Sequence, residues 1–148
     1  MKAVGIIAAG GVGKRILGDF ATGGEGKLPK QFLMLGNKPI LAHTIEKFER
    51  CELIEEIILV VPEDYLEYCS QAIVDKYSFK KIKRIVCGGK ERQDSVYLGL
   101  KACPNSTSIV AIHDAVRPLI SPGKISESIK LCQQKKGHNH RQKSTLSL

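Results

Sequence analysis

Three glycines, Gly10, Gly11 and Gly13, stand just beyond an apolar run at residues 3–9, and Lys14 and Arg15 follow at once. Glycine lets the backbone come close to a ligand, and successive N–H groups can then cradle phosphate oxygens. From Ala9 to Arg15 the chain reads AGGVGKR, and another cation, Lys30, follows in "LPKQF". Arg15 and Lys30 could place two positive charges around a triphosphate. A Walker loop would need glycine where Ala8 stands and a magnesium-holding hydroxyl where Arg15 stands. A dinucleotide fingerprint set on Gly11 and Gly13 would need its third glycine at Ile16. Neither fits. Taken alone, the stretch also reads as a glycine-rich surface turn.

The elements that must position these residues follow from hydrophobic spacing. Short, nearly continuous apolar runs at 3–9, 57–61, 82–87 and 109–113 read as buried strands. Between and after them, helical spacing is found at 40–51, 63–77, 93–103 and 121–132. Ser121 and Pro122 form a helix start, with a capping hydroxyl followed by proline in the first turn. Strands alternating with helices require parallel crossovers, hence an open α/β sheet with helices on both faces. Ligands of such sheets bind past the carboxyl ends of the strands. The loops at 10–15, 88–95 and 114–117 all fall there.

Composition bounds the rest. The 148 residues are one domain's worth, 43% hydrophobic and 26% charged. No apolar run reaches the roughly 18–20 residues of a membrane span, and no secretion signal is visible, so a cytoplasmic protein without membrane contact is expected. Cys51, Cys69, Cys87, Cys103 and Cys132 lie 16 to 29 residues apart with no CxxC, which argues for buried thiols over a disulfide framework or a zinc site. Half of the net charge of +8 comes from Lys135, Lys136, Arg141 and Lys143 near the C-terminus. The remainder is scattered among acids, so no nucleic-acid partner is expected. His138 and His140 read as solvated.

Five blocks, "AGGVGKR", "LPKQFL", "GNKPIL", "GGKERQDSV" and "HDAVRP", occur in this order. In them the chain resembles the cytidylyltransferases of sugar-alcohol phosphates, the 2-C-methyl-D-erythritol 4-phosphate and ribitol-5-phosphate cytidylyltransferase family. The resemblance implies a Rossmann-like, mostly parallel sheet of the nucleotide-diphospho-sugar transferase type, with its C-terminal part missing. It also implies a reaction: a polyol phosphate oxygen attacks the α-phosphorus of CTP and expels pyrophosphate, giving a CDP-linked alcohol. The erythritol phosphate, an isoprenoid precursor, is the expected substrate. The alternatives are ribitol 5-phosphate and a catalytically impaired nucleotide-binding fragment.

Carried onto these positions, the resemblance makes Arg15 and Lys30 the catalytic, charge-stabilising pair. Ala9, Gly10, Gly11, Gly13 and Lys14 would line the triphosphate. Gly89, Arg92, Ser95 and Ala115 would complete the nucleotide site. Asp114 would ligate Mg²⁺ and, with Arg117, face the polyol phosphate. His113 reads as a packing residue at a strand end. The chain departs from the pattern at Gly10 and Val116, which lean toward the ribitol branch, at Lys90, and in a long 16–28 segment. The family-like pattern stops near Gln133. A truncated or frame-shifted product is therefore expected: an incomplete CTP-binding domain at 1–133, then a disordered basic tail at 134–148 in which no strand forms. The family homodimer's exchanging arm would be absent.

Overall fold

The computed structural model describes residues 2–9, 28–137 and 143–148. Its centre is β1 (Ala3–Ala8), flanked by β4 (Ile54–Val61) and β6 (Ile109–Asp114), with β5 (Ile82–Cys87) outside β4. A two-stranded ribbon, β2 (Met34–Leu35) and β3 (Lys38–Pro39), turns through Gly36 at φ 67° and leads into α1 (Ile40–Glu49). The strand ladders of the large sheet are all parallel, as the alternation of elements requires.

Alternate residues of each strand face opposite sides, and the core divides accordingly. Ile7, Leu59, Val61 and Ala111 lie on the face covered by α1 and α4 (Pro122–Lys136), whose Leu41, Ile45, Phe48, Ile125 and Ile129 are fully buried there. Val4, Ile6, Ile58, Val60, Val110 and Ile112 lie on the other, against Val96 and Leu100 of α3 (Arg92–Ala102). Two glycines allow the close approach. A Cβ on Gly5 would sit 2.8 Å from the Phe48 ring, and one on Gly99 would sit 2.9 Å from Ile6 Cγ2.

Helix ends follow their sequence signals. Ser121 Oγ accepts from the Lys124 N–H at 3.0 Å with Pro122 in the first turn, and Glu91 and Asp94 close a capping box on α3. The helix expected at 63–77 is less regular. A 3₁₀ turn (Glu63–Tyr65) leads into α2 (Leu66–Tyr68) and then a π-helical stretch (Cys69–Asp75), although Cys69 and Ile73 still face the core. All five cysteines are free thiols, with Cys51, Cys69 and Cys103 buried and Cys87 and Cys132 half-buried.

The expectation that nothing in the tail forms a strand is corrected. Ser144–Ser147 is β7, the outermost strand of a sheet ordered β5-β4-β1-β6-β7. It runs parallel to β6 with Ile109 opposite Ser144 and Ile112 opposite Ser147. The physical reason is that β6 offers an edge of backbone groups to pair, and Leu146 and Leu148 alternate so that both reach the core. Lys136 Nζ also donates to the Ser108 carbonyl at 3.0 Å, tying α4 to the start of this edge.

Candidate active site

The first four main strands lie in the order third, second, first, fourth, so the winding direction reverses between β1 and β6. Open parallel sheets bind ligands at that reversal, beyond the strands' carboxyl ends. The ends here are level. Ala8 of β1 lies opposite Asp114 of β6 and Val60 of β4, and Val61 lies opposite Cys87 of β5.

At the end of β6, three of the sequence-designated residues meet. Arg92, the first residue of α3, places Nε 2.8 Å from Asp114 Oδ1, and Arg117 Nε lies 3.5 Å from Asp114 Oδ2. Side-chain exposures of 56% for Arg92 and 69% for Arg117 put both guanidinium groups largely in water. Such pairs add little net stability, about 0–1 kcal/mol. Two guanidinium groups around one carboxylate leave this trio with one positive charge in excess, and both can exchange the carboxylate for an incoming anion at small cost.

The turn that follows is held from beneath. Ala115 N–H donates to the Ala8 carbonyl at 3.1 Å, so Ala115 joins the ends of β1 and β6. Its own carbonyl accepts from Thr44 Oγ1 of α1 at 2.7 Å, and the Arg117 carbonyl lies 2.8 Å from His113 Nε2. His113 is buried with its ring 5.6 Å from that of Phe48, as a packing residue would be, but it also holds the turn.

At the end of β5, Gly89 and Ser95 meet. Ser95 Oγ, buried in the first turns of α3, accepts the Gly89 N–H at 3.1 Å. A Cβ on Gly89 would come within 2.3 Å of Asp94 Cβ, so this close approach requires glycine.

At the end of β1, Gln31 Nε2 donates to the Ala9 carbonyl at 2.9 Å. Gln31 belongs to a 3₁₀ turn (Lys30–Phe32), so Lys30 adjoins the residue whose side chain reaches the β1 tip. Phe32 anchors that turn, stacked on Tyr65 at 4.8 Å and edge-on to Tyr68 at 5.2 Å. Burial pushes the Tyr68 phenol above its usual pKa, which keeps it neutral beside the apolar stack. Lys30 itself is exposed, and no ion pair joins it to Asp114 among the described residues. Gly10, Gly11, Gly13, Lys14 and Arg15 lie outside the described residues.

Whether this site suits magnesium can be judged from its donors. Among the described residues no three His, Cys, Asp or Glu side chains cluster into a metal cage. Mg²⁺ commonly takes one or two carboxylates and completes its shell with water and substrate phosphates. Asp114, a lone carboxylate beside two anion-attracting arginines, fits an ion that arrives with a triphosphate.

Gln31 and Thr44 were not legible as site residues. The available signal was a polar side chain at a core-facing position, since Thr44 lies on the helical face of Leu41, Ile45 and Phe48.

Comparison with known proteins agrees with this fold. Residues 3–140 match the family model described as IspD, 2-C-methyl-D-erythritol 4-phosphate cytidylyltransferase, so the match runs past the boundary expected near Gln133. A protein of that name from Clostridium botulinum is 48% identical over 129 residues, covering 87% of this chain and 52% of its own length. One from Clostridium acetobutylicum is 50% identical over 105 residues, 71% of this chain and 45% of the relative. A solved 4-diphosphocytidyl-2C-methyl-D-erythritol synthase from Anaerococcus prevotii superposes with a TM-score of 0.67 at 29% identity, over 88% of this chain and 50% of that one. A bifunctional IspDF from Campylobacter jejuni shares the fold, with a TM-score of 0.64 at 20% identity over 90% of this chain and 31% of that one. The chain spans about half the length of the curated relatives it matches. On the extent of the family match and the identity to these relatives, the chain belongs to the 2-C-methyl-D-erythritol 4-phosphate cytidylyltransferase family.

Proposed function

We propose that this chain carries the nucleotide side of a cytidylyltransferase that joins CTP to 2-C-methyl-D-erythritol 4-phosphate and releases pyrophosphate. The observation that carries the reading is the Arg92–Asp114–Arg117 cluster at the point where the sheet reverses its winding. Family membership supports the choice of reaction.

In this reading the polyol phosphate is its own nucleophile. Its oxygen attacks the α-phosphorus of CTP, the new P–O bond forms as the bond to pyrophosphate breaks, and no general base is needed. Lys30, with Arg15, would stabilise charge gathering on the α-phosphate, as fixed cations do best when oriented beforehand. Ala9, Gly10, Gly11, Gly13 and Lys14 would line the triphosphate. Gly89, Ser95 and Ala115 would hold the nucleoside, and Arg92 its phosphates. Arg117 would orient the polyol phosphate. Magnesium, held by Asp114, would supply positive charge to the triphosphate when bound. A cytoplasmic setting belongs to the same reading. Among the described residues no helix is long and apolar enough to cross a membrane.

The test is to incubate the purified chain with CTP, Mg²⁺ and each of the two polyol phosphates, following pyrophosphate and CDP-alcohol. Product from the erythritol phosphate supports the proposal. Product from ribitol 5-phosphate alone would move it to that substrate. Calorimetric binding of CTP with no product would leave a nucleotide-binding role and refute turnover by this chain.

A further inference from the structure

We propose that Thr44 and His113 are positioning residues for the 114–117 turn, setting how Asp114 and Arg117 are presented to substrate; this rests on the function proposed above. Five polar side chains are buried among the described residues: Gln31, Thr44, Ser95, Thr107 and His113. Four of them hydrogen-bond to backbone at a strand tip. Gln31 holds Ala9, Ser95 holds Gly89, Thr44 holds Ala115, and His113 holds Arg117. Buried polar groups weaken a core unless they are paired, so their shared direction needs a reason.

Thr44 gives the clearest case. It is fully buried on α1 among Leu41, Ala42, Ile45 and Phe48, where valine would fill the same volume. Its single hydroxyl proton has two acceptors in reach: the Ile40 carbonyl at 3.3 Å in its own helix and the Ala115 carbonyl at 2.7 Å. The nearer one lies 71 positions away in the chain, so the bond serves the turn and not the helix. His113 acts at the turn's other end. Its Nε2 lies 2.8 Å from the Arg117 carbonyl and its Nδ1 lies 3.2 Å from the Leu148 oxygen, and an N–H at Nε2 would donate to the Arg117 carbonyl.

Within the turn, Ala115 N–H is tied to Ala8 and Arg117 N–H to the Asp114 carbonyl at 3.2 Å. The two side-chain bonds add ties from the Ala115 and Arg117 carbonyls to Thr44 and His113. The charged side chains then project from a backbone fixed to the core on both sides.

The test uses the full chain with Thr44→Val and His113→Leu, which remove the donors, and Thr44→Ser and His113→Gln, which restore them. Amide hydrogen exchange is followed at Ala115, Val116 and Arg117, with β4 amides as the internal control. Losing one such bond should raise exchange in the turn by roughly 3- to 10-fold. The restoring variants should stay within about twofold of the parent, with β4 unchanged throughout. Turnover should follow the same order, with kcat/KM for the polyol phosphate falling in the first pair and recovering in the second.

Equal behaviour of valine and serine, unchanged exchange in the turn, or faster exchange in β4 as well would each overturn the positioning role. Faster exchange with unchanged kcat/KM would overturn it too. If the parent chain makes no product, the proposed function fails while the exchange data still decide whether these residues hold the turn.

Discussion

Replacing Gly89 by alanine tests the link between the β5 tip and α3. The added Cβ would lie 2.3 Å from Asp94 Cβ, and 3.3 Å and 3.4 Å from the Asp94 backbone. Asp94 Cβ cannot swing aside as the far end of a long side chain could. Its carboxylate accepts the Glu91 N–H at 3.1 Å, and Ser95 N–H bonds the Glu91 carbonyl at 3.1 Å, so moving it means moving the first turn of α3. The 88–90 loop must therefore retreat by about 1 Å or more, since non-bonded carbons come to rest near 3.5–4.0 Å. That retreat stretches the 3.1 Å bond from Gly89 N–H to Ser95 Oγ and leaves a buried hydroxyl unpaired. An unsatisfied buried group costs about 1–3 kcal/mol, and overpacking strain is of similar size. At roughly 2–4 °C per kcal/mol for a chain of this length, thermal unfolding should drop by about 4–24 °C. Calorimetric titration with CTP should show at least roughly tenfold weaker binding, while Ser95→Ala, which adds no atoms, should lose less stability. A Gly89→Ala protein melting within about 2 °C of the parent would refute the argument from close approach.

Asp114→Asn should shift stability by less than about 1 kcal/mol, because both of its partners are largely solvated. It should cut CDP-alcohol formation by roughly 100-fold, and a melting curve measured beside a product assay separates the two. Glu46 titrates below its ordinary 4.5, chiefly through its hydrogen bond from Lys38, against opposition from burial and with help from the Lys38 and Arg50 charges. The stabilisation is present above 4.5 and fades as pH falls through the lower folded value. Lys38→Met should therefore cost about 0.5–1 kcal/mol at pH 7 and progressively less as pH falls below 4.5 by urea unfolding; a loss that does not shrink with falling pH would implicate the lysine stem. Burial pushes the Cys69 thiol up to about 12 and raises that of Cys103. Under native conditions a disulfide reagent should label Cys87 and Cys132 first, and rapid reaction of Cys69 identified by peptide mapping would contradict this packing.

The alternation of strands and helices, the helices on both faces and the strand-tip loops were legible because each rests on local periodicity. Ile57, Leu59 and Val61 could only be a strand buried on both sides once Ile58 and Val60 stood between them. The strand itself starts earlier, at Ile54, because Ile54 pairs with Ala3 across a register shift that no local pattern signals. Arg92, Asp114 and Arg117 were each singled out in the sequence, but the pairing of Arg92 with Asp114 was not. Their strands, β5 and β6, are separated by two others, and only the assembled sheet brings the start of α3 to the end of β6. Thr44 was hidden because threonine spaced as a core residue looks like any other helical position. β7 was missed because Ser144, Thr145 and Ser147 mask a two-residue apolar alternation that matters only beside an available ladder.

Parallel strands give the molecule a working pole and a quiet one. Asn105 and Ser106 form an exposed bend just before β6 begins, and about 17 Å of extended chain separates Ile109 from Asp114. A dye, an affinity handle or a whole fused domain spliced between those two residues would hang from the far side of the slab. The molecule can thus be tethered to a surface or carry a reporter there while the tip loops at 88–91 and 114–117 stay open to the medium.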